Sequence, residues 1–275
     1  MDDLRGRNAL LTGAGGGLGG YIARALAAEG VNLALTDLPE ASVDGLAAEL
    51  RVHGVRVEHA PADLADRQER RRLAAWAEEV LGSLDILVNN AGVEFGGSFL
   101  QMSAEELETI VAVNLLALMD LTRLVIPGML DRRRGHVVNM SSLAGKIPAP
   151  ALVAYAATKH GVVGFTHTLR AECGAEPVGF SAVCPTFISR VGMYGRLEHE
   201  LEEVSNPMGT LPPERVGGAV VRAIRGNVAE IVLSGRPVRP LIFLHALFPR
   251  TATRLARLRP LREFSRRFAE ARGRA

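Results

Sequence analysis

The chain alternates short apolar runs with longer segments in which apolar residues recur every three or four positions. The short runs are typical of strands buried on both faces of a parallel sheet, and the longer segments are typical of helices. The predicted strands are 7–11, 31–36, 55–60, 84–88, 135–142, 179–184 and 230–234. The predicted helices are 18–30, 41–52, 66–81, 104–130, 153–172 and 210–226. This order predicts an α/β fold: a single doubly wound parallel sheet of about seven strands with helices on both faces.

A glycine-rich loop, TGAGGGLG, follows the first predicted strand directly and spans residues 12–19. Gly13 permits a tight turn, Gly17 lets the backbone approach a pyrophosphate, and Gly19 lets the helix pack closely on the strand. The N–H groups at the start of the following helix would then face the phosphates. This strand–loop–helix–strand unit indicates a Rossmann-type dinucleotide-binding fold.

Asp37 ends the second predicted strand, where a carboxylate can accept hydrogen bonds from the hydroxyls of the adenosine ribose. The same carboxylate would repel a 2′-phosphate, and neither Gly16 nor Leu38 supplies a basic side chain to bind one. We therefore expect NAD as the cofactor and regard NADP as the less favoured alternative. A purely structural role for Asp37, as a cap of the turn that follows, is the competing interpretation.

Ser142, Tyr155 and Lys159 are the strongest candidates for catalysis. Tyr155 and Lys159 are four residues apart in a predicted helix and therefore share one face. The ammonium favours the phenolate and is expected to lower the tyrosine pKa from about 10, which suits a proton donor and acceptor. Ser142 ends a predicted strand, at the edge where open α/β sheets bind ligands.

These motifs, together with NNAG at residues 89–92, resemble those of the short-chain dehydrogenase/reductase family over about residues 5–235. The resemblance is specific because several independent motifs occur in the family's order. It implies an oxidoreductase that interconverts an alcohol and its carbonyl, with Ser142 polarising the substrate oxygen and Tyr155 as general acid and base. Lys159 would also bind the nicotinamide ribose, and Asn114 would connect this lysine to solvent through a water molecule.

The site residues implied by this resemblance fall into three groups. The catalytic residues are Asn114, Ser142, Tyr155 and Lys159. The cofactor-binding residues are Gly13, Gly15, Gly16, Gly17, Leu18, Gly19, Asp37, Asp63, Leu64, Asn90, Ala91, Gly92, Tyr155, Lys159, Pro185 and Ile188. The substrate-contacting residues are Ser142, Leu143, Tyr155, Phe187 and Tyr194, with a lid over residues 190–212. Asp63 could alternatively, or also, cap the helix that follows it. No metal site is expected.

Two residues after the sixth predicted strand depart from the family pattern. Thr186 stands where the family has a glycine, and Arg190 stands where it has the threonine that meets the nicotinamide amide. Ser189 or the backbone of Ile188 is expected to substitute. The expected pocket lining is mainly apolar, which favours a steroid, lipid, terpenoid or retinoid-like alcohol or ketone as the substrate.

Charge divides the chain into a predicted catalytic domain, residues 1–235, and a C-terminal helical extension, residues 236–275. The extension contains eleven arginines and two glutamates, a net charge of +9, whereas the whole chain carries +2. The remaining −7 on the domain and an aromatic content of 5% argue against nucleic-acid binding. The extension could lie peripherally on a membrane through residues 241–275, pack as a lid or oligomer arm, or be disordered.

The two cysteines, Cys173 and Cys184, lack metal-ligand spacing, and no secretory signal precedes the fold. A cytoplasmic location is therefore expected, with membrane contact only through the extension, and no apolar run is long enough for a spanning helix. The family resemblance implies a homodimer or homotetramer. A non-catalytic dinucleotide-binding sensor or scaffold is the alternative function, although such proteins typically lack one of the three residues Ser142, Tyr155 and Lys159.

Overall fold

The computed structural model describes residues 1–174, 177–195, 206, 208–256 and 259–272. The strands are β1 Asn8–Thr12, β2 Asn32–Thr36, β3 Val57–His59, β4 Ile86–Asn89, β5 Gly135–Met140, β6 Val178–Pro185, β7 Phe187–Ile188, β8 Thr210–Leu211 and β9 Glu230–Leu233. Seven of them form a parallel main sheet in the order β3-β2-β1-β4-β5-β6-β9. The predicted α/β fold with one doubly wound, seven-stranded sheet is confirmed.

Helices connect the strands and cover both faces of the sheet. They are α1 Gly17–Ala28, α2 Asp44–Arg51, α3 Arg67–Leu81, α4 Ala104–Val111, α5 Ala117–Asp131, α6 Val153–Glu172, α7 Gly192–Gly195, α8 Glu214–Arg225, α9 Arg239–Leu247, α10 Pro249–Ala256 and α11 Arg259–Arg272. Short 3-10 turns span Phe99–Gln101 and Leu143–Gly145, and a π-helical turn spans Ala112–Leu116.

The core consists of two apolar layers, one on each face of the sheet. Neighbouring residues of a strand point to opposite faces, so Leu11 packs with Ile22 of α1 and Val220 of α8. Leu10 packs on the other face with Leu121 of α5. Because both faces are covered by helices, the carboxyl edge of the sheet is left as the place for a ligand.

Two predicted helices differ from the observed ones. The predicted helix 104–130 contains the π-helical turn Ala112–Leu116, which divides it into α4 and α5. The first residues of the predicted helix 210–226 instead form β8, which pairs with β7 in a small parallel sheet. Leu211 precedes Pro212, and a residue before proline is disfavoured in the helical conformation, so α8 begins only at Glu214.

The extension forms α9, α10 and α11, as its helical pattern predicts. Phe264 and Phe268 of α11 pack in a cluster with Leu152 and Tyr194, so this helix lies on the chain's own catalytic domain. This contact corresponds to the packed arrangement among the three considered from the sequence. Residues 196–205 and 207, which include much of the predicted lid, lie outside the described residues.

Among the described residues, one stretch of 28 residues, Ala104–Asp131, meets length and composition criteria for crossing a membrane, with a mean hydropathy of 1.8 over an 18-residue window. This contrasts with the expectation from run length. In the fold, Leu121, Val125 and Met129 of this stretch belong to the core beneath the sheet. Buried core helices commonly meet the same criteria, so the stretch is only weak support for membrane insertion.

Candidate active site

The candidate site is a cavity of about 680 Å³ at the carboxyl edge of the sheet. Gly13 and Asp37 line one end, and Phe187 and Phe264 line the other. Most of the predicted site residues line it, namely Gly13, Gly16, Gly17, Leu18, Asp37, Asp63, Leu64, Asn90, Ala91, Gly92, Ser142, Leu143, Tyr155, Lys159, Pro185, Phe187, Ile188 and Tyr194. Gly15, Gly19 and Asn114 do not line it.

The glycine loop and the start of α1 form an anion-binding end of the cavity. Gly13 has a φ of +67°, and a Cβ there would lie 2.8 Å from the Cα of Ala91, so a side chain would be strained and would clash. Helix α1 begins at Gly17 after Gly16, with no side-chain cap and no acidic residue in its first turn. The N–H groups of this turn therefore suit a pyrophosphate.

Asp37 lines the cavity, but its carboxylate also binds the glycine loop. Its Oδ2 accepts hydrogen bonds from the backbone N–H groups of Gly15 at 2.8 Å and Gly16 at 3.1 Å. Its Oδ1 accepts one from the N–H of Leu38 at 2.8 Å. The carboxylate thus has a structural role, which is mainly to hold the glycine loop rather than to cap the turn that follows. This role coexists with a position from which the carboxylate can meet a ribose.

The turn after β4 supports the glycine loop from the other side. The Nδ2 of Asn90 donates to the carbonyl oxygens of Thr12 and Gly13, both at 3.0 Å. The hydroxyl oxygen of Thr12 accepts from the N–H groups of Asn90 and Ala91, both at 3.0 Å. Asn90 therefore fixes the relative position of two cavity walls.

Asp63 and Leu64 lie in the loop between β3 and α3, and both line the cavity. The cap of α3 is Asp66, whose side chain accepts from the N–H groups of Gln68 and Glu69, so the alternative role of Asp63 as the helix cap is wrong. The Nη1 of Arg70 donates to the carbonyl oxygen of Leu64 at 2.7 Å. This buried arginine holds the loop in place.

Ser142, Tyr155 and Lys159 converge where β5 and α6 meet. Ser142 follows β5, and its Oγ accepts from the N–H of Ala144 at 3.1 Å and donates to the carbonyl oxygen of Pro185 at 3.4 Å. Tyr155 lies in the first turn of α6, and the Nζ of Lys159, one turn later, is 5.5 Å from the centroid of its ring. The predicted sharing of one helix face is confirmed.

Lys159 is buried, with 4% of its surface exposed. Its Nζ donates to the carbonyl oxygen of Met140 at 3.0 Å. Burial lowers the pKa of Lys159 to about 8, and the nearby Cys184 and Glu94 act in the opposite direction. The lysine is therefore poised to exchange its proton near neutral pH, which suits a group that tunes proton transfer.

Asn114 lies in the π-helical turn and braces the site from behind. Its Nδ2 donates to the carbonyl oxygen of Val93 at 2.8 Å, and its Oδ1 accepts from the N–H of Val93 at 2.8 Å. A Cβ on Gly92 would lie 3.2 Å from this Oδ1 and 3.6 Å from the Nζ of Lys159. The missing side chain at Gly92 thus leaves room for Asn114 and Lys159. The π-helical turn at Asn114 interrupts the regular α-helix between α4 and α5.

The two departures from the family pattern have different outcomes in the structure. Arg190 has a φ of +66°, and its Nη2 binds the carboxylate of Glu214 at 2.8 Å, so its side chain is held outside the cavity. Ile188 lines the cavity, whereas the backbone N–H and hydroxyl of Ser189 both donate to Leu211. The Thr186 hydroxyl lines the cavity and is buried without a hydrogen-bond partner among the described residues. Thr186, which from the sequence was only a departure from the family pattern, is therefore a candidate group to bind the nicotinamide amide.

Aromatic rings line the end of the cavity opposite the glycine loop, two of them from α11. The ring of Phe187 lies 4.9 Å from that of Tyr194, 5.3 Å from that of Phe264 and 6.0 Å from that of Phe268. The sequence did not predict that Phe264 and Phe268 line the cavity. Their spacing of four residues within the amphipathic extension was the available signal, but it did not show which surface they cover.

Comparison with known proteins assigns the chain to a family. The family model described as short chain dehydrogenase matches residues 7–202, more than half of the chain. The chain belongs to the short-chain dehydrogenase/reductase family. It is therefore an oxidoreductase that binds NAD(P) and interconverts alcohols and carbonyls. Among the described residues, no cluster of three or more His, Cys, Asp or Glu side chains could hold a metal ion.

The chain is similar to reductases and dehydrogenases of this family. The ketoacyl reductase HetN of Nostoc sp. is 32% identical over 277 residues, which cover 99% of this chain and 96% of that protein. The D-beta-hydroxybutyrate dehydrogenase of Cupriavidus necator is 35% identical over 187 residues, covering 67% and 72% of the two chains. A metagenomic short-chain oxidoreductase, solved in complex with NADP, has a TM-score of 0.71 and 30% identity, covering 84% and 98%.

Proposed function

We propose that this short-chain dehydrogenase/reductase uses NAD(H) to interconvert an apolar lipid alcohol and its ketone, with Tyr155 as the general acid and base. The observation that carries the proposal is the convergence of Ser142, Tyr155 and Lys159 on one cavity, which continues from a glycine loop to an apolar, aromatic end. The bound nicotinamide would supply or accept the hydride.

The chain's own residues would manage the proton and the substrate oxygen. In reduction, the hydroxyl of Ser142 donates a hydrogen bond to the carbonyl oxygen, and Tyr155 transfers its phenolic proton to that oxygen. In oxidation, the Tyr155 phenolate removes the proton of the alcohol. Lys159 stabilises the phenolate by its charge, and Asn114 fixes the backbone beside it through Val93. The hydroxyl of Thr186 or the backbone of Ile188 would hold the nicotinamide amide.

Tyr155→Phe tests the catalytic role. Loss of the phenolic proton is expected to lower kcat by about 10²–10⁴-fold without preventing cofactor binding. Tyr21→Phe removes a hydroxyl on α1, away from the described cavity lining, and serves as the matched control that should retain full activity. Full activity in Tyr155→Phe would refute the mechanism. Cofactor binding by the wild type without turnover on any apolar alcohol or ketone would favour the sensor or scaffold alternative.

The preference for NAD over NADP rests on Asp37, because its carboxylate lies in the cavity wall next to the glycine loop. Calorimetric titration with NADH and NADPH should show tighter binding of NADH. Asp37→Ala is expected to reduce the difference in affinity between NADH and NADPH. Glu40→Ala, which removes an exposed carboxylate from the same loop between β2 and α2, should leave this difference unchanged. Tighter binding of NADPH by the wild type would refute the assignment.

An apolar substrate is supported by the side chains beyond Ser142 and Tyr155. Leu143, Phe187 and Tyr194 line this end, together with the α11 residues Phe264 and Phe268. The similarity to the ketoacyl reductase HetN extends over nearly the whole chain and favours a ketoacyl lipid among apolar substrates. We expect kcat/KM for NADH-dependent ketone reduction to rise with acyl chain length, by up to about fourfold per methylene buried. A fall with length would contradict this.

Assembly and location are further parts of the proposal. Exposed apolar side chains on α4, the π-helical turn and α5, and at the start of α6, support a homodimer or homotetramer; they are Leu107, Val111, Leu116, Met119 and Val153. Light scattering of the purified protein would measure the mass, and a monomer would contradict the assembly. The cysteine usage supports a cytoplasmic location, and recovery of the protein in the cytoplasmic fraction of cells would test it.

A further inference from the structure

Helix α9 attaches the extension to the substrate end of the catalytic domain. On its inner side, Leu241 and Ile242 pack in an apolar cluster with Leu143 and Ile147. Leu143 and Ile147 also line the cavity. The helix therefore lies one layer of side chains from the cavity and is held there by apolar contacts.

The outer side of α9 presents large apolar side chains to solvent. Phe243, Leu247 and Phe248 are 70%, 65% and 59% exposed, and Phe243 and Leu247 are one helical turn apart. Isolated exposed apolar residues are ordinary, but three large ones next to each other in one segment mark an interaction surface.

Positive charge surrounds this apolar surface. Arg236, Arg239, Arg250 and Arg254 are all exposed, and no aspartate or glutamate occurs between Glu230 and Glu263. Apolar residues flanked by arginines, without acidic residues, are typical of segments that lie in the interface of an anionic bilayer.

We propose that the outer side of α9 binds the surface of membranes that contain anionic lipids. Its nine residues extend over about 13 Å, so the helix cannot cross a hydrocarbon core of about 30 Å and must lie in the interface. Phe243, Leu247 and Phe248 would enter the acyl boundary, and the four arginines would pair with phosphate groups. The substrate cavity would then be next to the lipid phase, which suits the apolar substrate proposed above.

The proposal is tested with the full-length protein by co-sedimentation with vesicles, without cofactor or substrate. Binding is expected to vesicles of phosphatidylcholine with about one third phosphatidylglycerol, and to be at least tenfold weaker to phosphatidylcholine alone. The variant Phe243→Ser/Leu247→Ser/Phe248→Ser should lose at least about tenfold in binding. The matched control Val52→Ser/Leu100→Ser replaces exposed apolar residues elsewhere and should bind like the wild type.

A second variant, Arg250→Gln/Arg254→Gln, keeps the test valid if the triple variant does not fold. It is expected to weaken binding at low salt by about fivefold per arginine, with a smaller effect at high salt. The proposal is overturned if the wild type does not bind the anionic vesicles, or if both α9 variants bind them as tightly as the wild type. It is also overturned if the triple serine variant changes only the mass of the oligomer, which would identify a second copy as the occupant. Because no turnover is measured, these results are independent of the proposed enzymatic function.

Discussion

Replacing Lys159 with methionine is expected to abolish turnover while relieving a cost in stability. The lysine is 4% exposed, and burial lowers its pKa from 10.5 to about 8. One pKa unit corresponds to about 1.4 kcal/mol, so the buried ammonium costs roughly 3 kcal/mol at pH 7. Methionine removes this cost but also the hydrogen bond to the carbonyl oxygen of Met140, worth about 1.5–3 kcal/mol. The net gain at pH 7 is therefore expected to be small, about 0–2 kcal/mol.

The pH dependence gives the sharper result. Because the pKa of Lys159 is lower in the folded protein, the unfolded chain binds more protons between about pH 8 and 10.5. The wild type therefore gains stability from this group as the pH rises through that window, whereas the methionine variant does not. Relative to the wild type, the variant should lose about 2–3 kcal/mol of its free energy of unfolding between pH 7 and pH 10.

Urea unfolding of the cofactor-free protein at both pH values measures this difference. Lys146 is the only other lysine in the chain, and its Nζ binds the carboxylate of Glu230 at 2.8 Å. Lys146→Met therefore serves as the control: it breaks a half-buried ion pair and should lower stability at pH 7. If the difference in free energy of unfolding between the wild type and Lys159→Met is the same at pH 7 and pH 10, the reasoning about the buried ammonium is refuted.

Three further variants test the residues in and behind the cavity walls. Phe264→Ala/Phe268→Ala should lower kcat/KM for long apolar substrates by about 10–100-fold, with unchanged NADH affinity by calorimetry; equal activity would show that α11 does not contact substrate. Arg70→Met removes one of the two arginines that bind Asp120, the other being Arg123 at 2.7 Å, and also the hydrogen bond that holds the loop before α3. Urea unfolding should therefore show a loss of about 1.5–3 kcal/mol, and an unchanged stability would contradict this role of Arg70. Gly13→Ala forces a side chain at positive φ against Ala91, and fluorescence titration should show at least tenfold weaker NADH binding; unchanged binding would contradict the role of this turn.

The sheet and the positions of the candidate catalytic residues were predictable because they depend on neighbouring positions in the sequence. A strand buried on both faces is a continuous apolar run, and Tyr155 and Lys159 share a face through helical spacing alone. The position of Ser142 at the carboxyl edge of the sheet followed from the end of the apolar run that precedes it. These features need no knowledge of distant contacts, and the structure reproduces them.

Other features depend on contacts that spacing does not show. Phe264 and Phe268 could have faced a membrane, a partner or the cavity, because an amphipathic pattern shows only that one side is apolar. The Arg190 side chain lies outside the cavity because it binds Glu214, which is 24 residues further along the chain. The strand at Thr210–Leu211 forms because it pairs with β7. Tertiary contacts decided each of these cases.

Asp37 also constrains how cofactor preference can change during evolution or engineering. Its carboxylate is the acceptor for the N–H groups of Gly15 and Gly16, so one side chain both faces the cavity and holds the loop that meets the phosphates. A single substitution that admits a 2′-phosphate would therefore also release the loop. A successful change of preference from NAD to NADP should need a second mutation that restores an acceptor for these two N–H groups. A variant that carries only the first mutation should be less stable than the wild type.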